Sequence, residues 1–270
     1  MWTVTVPVFG RWLGVEAVRR PNGSGDTMFH WVQILVMLIL AVIAAGVWSV
    51  LDRRRTEYAR LYLGLRVGAR LMLGMTLISY GAAKVIQSQF PPPWLFRLDQ
   101  PLGEFSPMGL LWTFMGASRA YNVVTGLAEM IPGILLFFPR TTLAGALMAA
   151  GVMVNVVALN FCYDVPVKQF SVHLLALALF IAAHDARRLV GFFLSEDATP
   201  PPAFPHPRFQ RFAFWLKWAG LVGATATALI ATHRQVAERD NYEPLPALRG
   251  MWEVREYSAA ERHSRPRARN

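Results

Sequence analysis

The chain has 270 residues, of which 54% are hydrophobic and 16% charged, with a formal net charge of +10 and a mean hydropathy of +0.33. A soluble domain carries about 25% charged residues, and a disordered chain is polar and poor in aromatics, so both classes are excluded. A disulfide scaffold is excluded because Cys162 is the only cysteine, and nucleic-acid binding because no basic stripe is interleaved with aromatics. An all-α, polytopic membrane protein remains.

Residues 1–29 read as an extramembrane or interfacial segment. Arg11, Glu16, Arg19 and Arg20 interrupt it, which is unlike the uninterrupted apolar stretch of a signal peptide. Trp2, Phe9, Trp12 and Leu13 suit the membrane interface. Residues 22–26 form a turn, with Asp26 placed to cap a helix N-terminus.

A span needs about 20 mostly apolar residues. Six stretches qualify: residues 30–51, 66–87, 122–138 (with Glu129 and Pro132 inside), 142–162, 170–185 and 211–232. Their apolar runs are continuous and do not alternate, which argues against a barrel. Prolines 91–93 end the second span. The Pro-rich residues 196–210 form a stiff linker. Residues 30–195 thus make a membrane core of five helices, 211–232 a sixth, and 233–270 an extramembrane tail.

Basic residues in short loops set orientation. Arg53, Arg54, Arg55, Arg60, Arg140, Arg187, Arg188 and Arg208 fall on one side, which is read as cytoplasmic. Residues 89–121 and 163–168 then lie outside, and both termini are periplasmic.

An ionisable group inside a span costs roughly 2.5–3.5 kcal/mol on insertion scales, so each needs a reason. Lys84, Glu129, Asn155, Asn160 and His173 all fall in the outer half of the bilayer by residue count. Tyr80 and Lys84 share a helix face at a spacing of four. Asn122, Thr125 and Glu129 share another, and Gln169 and His173 a third. Four helices can therefore point polar faces at one cavity. Its functional reading is a proton- or ligand-handling site built on a buried Lys84–Glu129 pair. Its bland reading is interhelical glue. Arg66 and Arg70 are expected to snorkel to lipid phosphates. Asp164, before Val165 and Pro166, reads as a turn device.

Cofactor signals are few. His173 and His184 lie about 16 Å apart along one helix, which does not make a pair of haem ligands. No metal set is visible, Cys162 has no thiol partner, and no phosphate-binding loop or HExxH motif is present. Small residues in GLAEMIPG (126–133) suit close helix packing.

Four runs carry a resemblance: SYGAAK (79–84), QFPPP (89–93), SPMGLLWTFMGASRAYNVVTGLAEM (106–130) and VMVNVVALNFCYDVPVKQFSVHLL (152–175). Over about residues 22–195 the chain resembles bacterial membrane proteins of the DoxX-like superfamily. The resemblance implies a four-helix membrane core, here the second to fifth spans. Its founding members are subunits associated with quinol oxidation and thiosulfate:quinone oxidoreduction. Similar proteins begin with one more helix, and others continue past a Gly-x-Trp-Glu-Val sequence into a β-rich domain. Here Gly250 to Val254 start that pattern and then meet an Arg-rich tail, read as a truncated or frame-shifted C-terminus.

The resemblance implies a quinone-binding inner-membrane subunit that takes electrons from a redox partner protein. Lys84 and His173 would hydrogen-bond the quinone, Glu129 would pass protons, and Tyr80, Asn122, Asn155 and Asn160 would line the site. The alternatives are a carrier for a small solute or protons, and a non-catalytic scaffold whose loop 89–121 docks a partner.

Overall fold

The computed structural model describes residues 2–20, 22–55, 57–194 and 207–241. Of the expected linker 196–210 and tail 233–270, residues 196–206 and 242–270 lie outside them, whereas 207–210 and 233–241 belong to a helix. Among the described residues all regular structure is helical.

Helix α1 (Trp2–Trp12) leads into α2 (Met28–Leu51), and α3 (Ala59–Val85) follows. Two short helices, α4 (Leu95–Asp99) and α5 (Pro107–Ala117), precede α6 (Arg119–Leu136). Then come α7 (Thr142–Cys162), α8 (Lys168–Ala183), α9 (Ala186–Leu194) and α10 (Pro207–Asn241). Among the described residues α2, α3 and α7 are long and apolar enough to cross a membrane, while α8 is a shorter apolar helix. The most apolar 18-residue stretch of α2 has a mean hydropathy of 2.8, and only 6% of it is buried within the protein, so its apolar surface suits lipid.

Local chemistry sets the helix ends. Ser106 and Ser118 cap α5 and α6, each hydroxyl accepting from the amide three residues on (3.1 and 3.2 Å), and Pro107 fills the first position of α5. Helices α3 and α7 end alike. Gln87 (φ 58°) and Asp164 (φ 52°) are left-handed. The Ser88 amide then reaches back to the Ala83 carbonyl, and Val165 to Asn160, at 2.9 Å each. These are the 6→1 bonds of a Schellman motif, so Asp164 is the turn device expected from sequence.

Helices α3, α6, α7 and α8 share one apolar core. Leu73 and Leu77 come from α3, Leu136 from α6, Ala146, Ala149 and Met153 from α7, and Leu174, Ala178 and Ile181 from α8. Glycines set the closest approach. A Cβ on Gly81 would lie 2.5 Å from the Gly126 carbonyl oxygen, and one on Gly74 would lie 2.9 Å from that of Gly133. The two antiparallel contacts sit seven residues apart on both helices, so α3 and α6 touch backbone to backbone along a seam.

The stretch 89–121, expected as an outer loop, folds back as α4 and α5. Phe90, Leu111 and Met115 pack against Val165, and the Phe90 and Trp112 rings meet edge to face at 5.0 Å. The chain thereby buries Leu111 and Met115 over the end of the bundle. Helix α1 packs Val6 against Phe29, Val32 and Val36 of α2. Helix α10 runs beyond the expected span, and its Ala224, Ala228 and Thr232 are buried.

The arginines at the other end of α3 do not snorkel. Arg66 Nη2 pairs with Asp185 Oδ2 at 3.0 Å, and Arg70 donates Nε and Nη2 to the Leu136 carbonyl at 3.1 and 2.9 Å. The C-terminal carbonyls of α6 lack intrahelical partners, so a nearby guanidinium is better satisfied there than in lipid.

Candidate functional site

Helices α3, α6, α7 and α8, with α5 as a cover, line a cavity of about 570 Å³. Tyr80 and Lys84 of α3, Thr125 and Glu129 of α6, and Asn155 and Asn160 of α7 all line it. Leu77, Phe90, Leu111, Trp112, Met153 and Leu174 supply apolar wall. Its volume lies within the range of about 300–1,000 Å³ usual for small-molecule sites.

The charged centre is the Lys84–Glu129 pair. Lys84 Nζ donates to Glu129 Oε1 at 2.9 Å and to Oε2 at 2.7 Å. Lys84 is 7% exposed and Glu129 4%. Position explains the pairing: on these antiparallel helices Lys84 and Glu129 flank the Gly81–Gly126 contact from opposite sides, and side chains that tilt toward each helix's N-terminus reach back across it. The ammonium also lies 5.8 Å from the ring centroids of both Tyr80 and Phe90, within cation–π range. One helical turn on, Pro132 sits inside α6. It has no amide hydrogen for the Ala128 carbonyl, and Ala128 lines the cavity.

Two neutral groups add polar capacity. Asn160 is 6% exposed, and its Nδ2 has no hydrogen-bond partner. Gln89 Oε1 is buried without a partner too. Both residues line the cavity. A buried unpaired donor or acceptor costs about 1–3 kcal/mol, so this wall is set to hydrogen-bond a guest.

Two expected site residues stand elsewhere. Asn122 is fully buried behind the lining, and its Nδ2 donates to the Phe90 and Met115 carbonyls (3.3 and 3.0 Å). It ties α6 to the end of α5. His173 lies on the other side of α8, where its Nδ1 donates to the Gln169 carbonyl at 2.6 Å. Ser171 and Leu174 of α8 face the main cavity, whereas Gln169 and His173 line a second, more open cavity of about 600 Å³. The sequence spacing gave His173 a helical face but not the face of α8 that points inward. The sequence gives Gln89 and Phe90 no site role, because they follow a helix end, where periodicity carries no signal. Among the described residues no group of His, Cys, Asp and Glu could hold a metal ion.

Comparison with known proteins gives one informative relative. The chain is 32% identical over 136 residues to the "Uncharacterized protein YwoB" of Bacillus subtilis (strain 168), an alignment that covers 47% of this chain and 80% of that protein. No family model matches, and no solved structure does.

Proposed function

The chain belongs to the family of the uncharacterized Bacillus subtilis protein YwoB, and from that premise we propose that it is a multi-pass inner-membrane protein holding a quinone-like ligand between α3, α6, α7 and α8. In this reading six helices cross the bilayer, the four-helix core is DoxX-like, and both termini are periplasmic. One observation carries it: an apolar cavity of about 570 Å³ contains a buried ion pair and two unpaired amide groups.

The residues present fit such a guest. A quinone has a flat apolar body and two carbonyl acceptors. The unpaired Asn160 Nδ2 is a donor for one of them, and the Lys84 ammonium is a donor for the other. Leu77, Leu111, Met153 and Leu174 give the apolar body dry walls. When bound, a quinone supplies a two-electron, two-proton redox couple, and the electrons come from a partner protein.

The chain's own residues bind and handle protons. Asn160 orients the ligand. Lys84 holds positive charge beside it, and Glu129 balances that charge and offers a carboxylate that can carry a proton. Helix α5 places the apolar side chains Leu111, Trp112 and Met115 over the site.

The test is extraction of the purified full chain, with quinone and haem quantified by mass spectrometry, beside the same extract of Glu129→Gln. The expected result is near-stoichiometric quinone and no haem in the wild-type protein, with the quinone lost in the variant. Absence of quinone from both samples rejects the redox reading and leaves solute or proton uptake in liposomes as the assay to run.

A further inference from the structure

The second cavity, about 600 Å³, lies between the α1–α2 connection, α2, α3 and α8, on the far side of the Tyr80–Phe170 wall from the ion pair. Those two rings lie 6.0 Å apart and line both cavities. The charge pattern differs sharply between the two. In the main cavity Lys84 is neutralised by Glu129. In the second, Arg19, Arg20, His30 and His173 line the space, and among the described residues lining it there is no carboxylate.

Of the two nearby carboxylates, one is engaged elsewhere and the other makes only a surface pair with a lining arginine. Asp26 accepts from the Lys168 and Gln169 amides at 2.6 and 3.0 Å. Glu16 meets Arg20 at 3.1 Å, but both side chains are at least 70% exposed, and such a surface pair is weak. Arg19 makes no ion pair among the described residues. Each histidine uses Nδ1 locally, His30 with Thr27 Oγ1 at 2.8 Å and His173 with the Gln169 carbonyl at 2.6 Å. Each therefore keeps its Nε2 without a partner among the described residues.

Below this basic rim the wall turns apolar, through Ile34 of α2 and Phe170 of α8. Trp31 beside it is about half exposed, and tryptophan concentrates at the membrane interface. The cavity thus offers guanidinium groups at its rim and an apolar groove beside them.

We propose that this cavity binds an anionic amphiphile, with its phosphate held by Arg19 and Arg20 and its chain lying along Ile34 and Phe170. Guanidinium groups grip phosphate oxygens in pairs, and basic pockets between membrane helices select anionic headgroups. The shared chemistry is a phosphate group, which a lipid headgroup or free phosphate could bring. The apolar groove favours the lipid.

The experiment is native mass spectrometry of the full chain released from neutral detergent. The chain is titrated with dioctanoyl phosphatidylglycerol, dioctanoyl phosphatidylcholine and inorganic phosphate. Phosphatidylglycerol is expected to bind at least tenfold more tightly than phosphatidylcholine, and the Arg19→Gln/Arg20→Gln variant to lose that preference. These arginines are exposed, so the variant should fold, and helical circular dichroism confirms it. Ile34→Gln is expected to weaken phosphatidylglycerol binding and spare any phosphate binding. Equal retention of the two lipids, or an unchanged preference in the arginine variant, overturns the proposal. Inorganic phosphate binding as tightly as phosphatidylglycerol, with Ile34→Gln without effect, overturns the amphiphile in favour of free phosphate. Glu129→Gln is expected to leave this binding unchanged, which separates it from the quinone site.

Discussion

Lys84 and Glu129 lie on opposite sides of the point where Gly81 and Gly126 bring their antiparallel helices into contact and meet across it, with both carboxylate oxygens within 2.9 Å of the ammonium. The pair is thus fixed by the helix seam. Removing one partner of a buried pair leaves an uncompensated charge and costs roughly 3–5 kcal/mol. Lys84→Met and Glu129→Leu should each destabilise by about that amount. The double variant should recover most of the loss, because it leaves no buried charge. Thermal unfolding of the four proteins in one detergent measures the coupling. Additive losses would show that the two groups do not act as a pair.

The seam makes its own prediction. Gly81→Ala and Gly126→Ala would put a methyl about 2.5–2.6 Å from the opposing backbone carbonyl. Each should cost about 1–3 kcal/mol as overpacking and loosen the Lys84–Glu129 geometry. Gly64 and Gly68 of the same α3 helix have nothing within 4 Å. Their alanine variants should be neutral or gain up to about 1 kcal/mol from helix propensity. The contrast appears directly as a split in melting temperature.

Asp26 caps α8 from a distance of more than 140 residues in sequence, through the amides of Lys168 and Gln169. Asp26→Ala should cost about 0.5–2 kcal/mol, the usual value of an N-cap. The loss should be local. Hydrogen exchange is expected to accelerate at the first turn of α8 and in the α1–α2 connection, and not in α6 or α7.

Gln87 and Asp164 hold left-handed backbone that glycine adopts without a steric cost. Gln87→Gly should raise stability by about 1 kcal/mol, whereas Gln87→Val should lower it. Unchanged stability in both variants would mean that the end of α3 is free to relax.

Cys162 is the chain's only cysteine and is exposed at the end of α7, the end nearest the Lys84–Glu129 pair. Under the proposed topology a membrane-impermeant maleimide should label it in intact spheroplasts. Labelling only in inverted vesicles would reverse the orientation.

The sequence determined what local rules control. Uninterrupted apolar runs marked the helices, and residues 142–162 were bounded as the structure has them. The spacing of Tyr80 with Lys84 and of Thr125 with Glu129 placed these four residues on shared faces, because a helix repeats every 3.6 residues whatever surrounds it. Counting residues from the expected helix ends placed both Lys84 and Glu129 in the outer half of the expected bilayer.

Only the tertiary structure decided which way each face turned and what it met. Gln169 and His173 do share a face, but α8 is rotated so that Ser171 and Leu174 point into the main cavity and His173 points away. Asp26 caps α8 and not the α2 helix that it precedes. Arg66 found Asp185, 119 residues away, in place of lipid phosphate. Asn122 holds the carbonyls of Phe90 and Met115 because α5 folds back over the bundle. A helical period fixes angles within one helix, but the rotation of one helix against another is set by the packing of all of them together. These partners, many of them distant in the chain, therefore emerge only once the bundle is assembled.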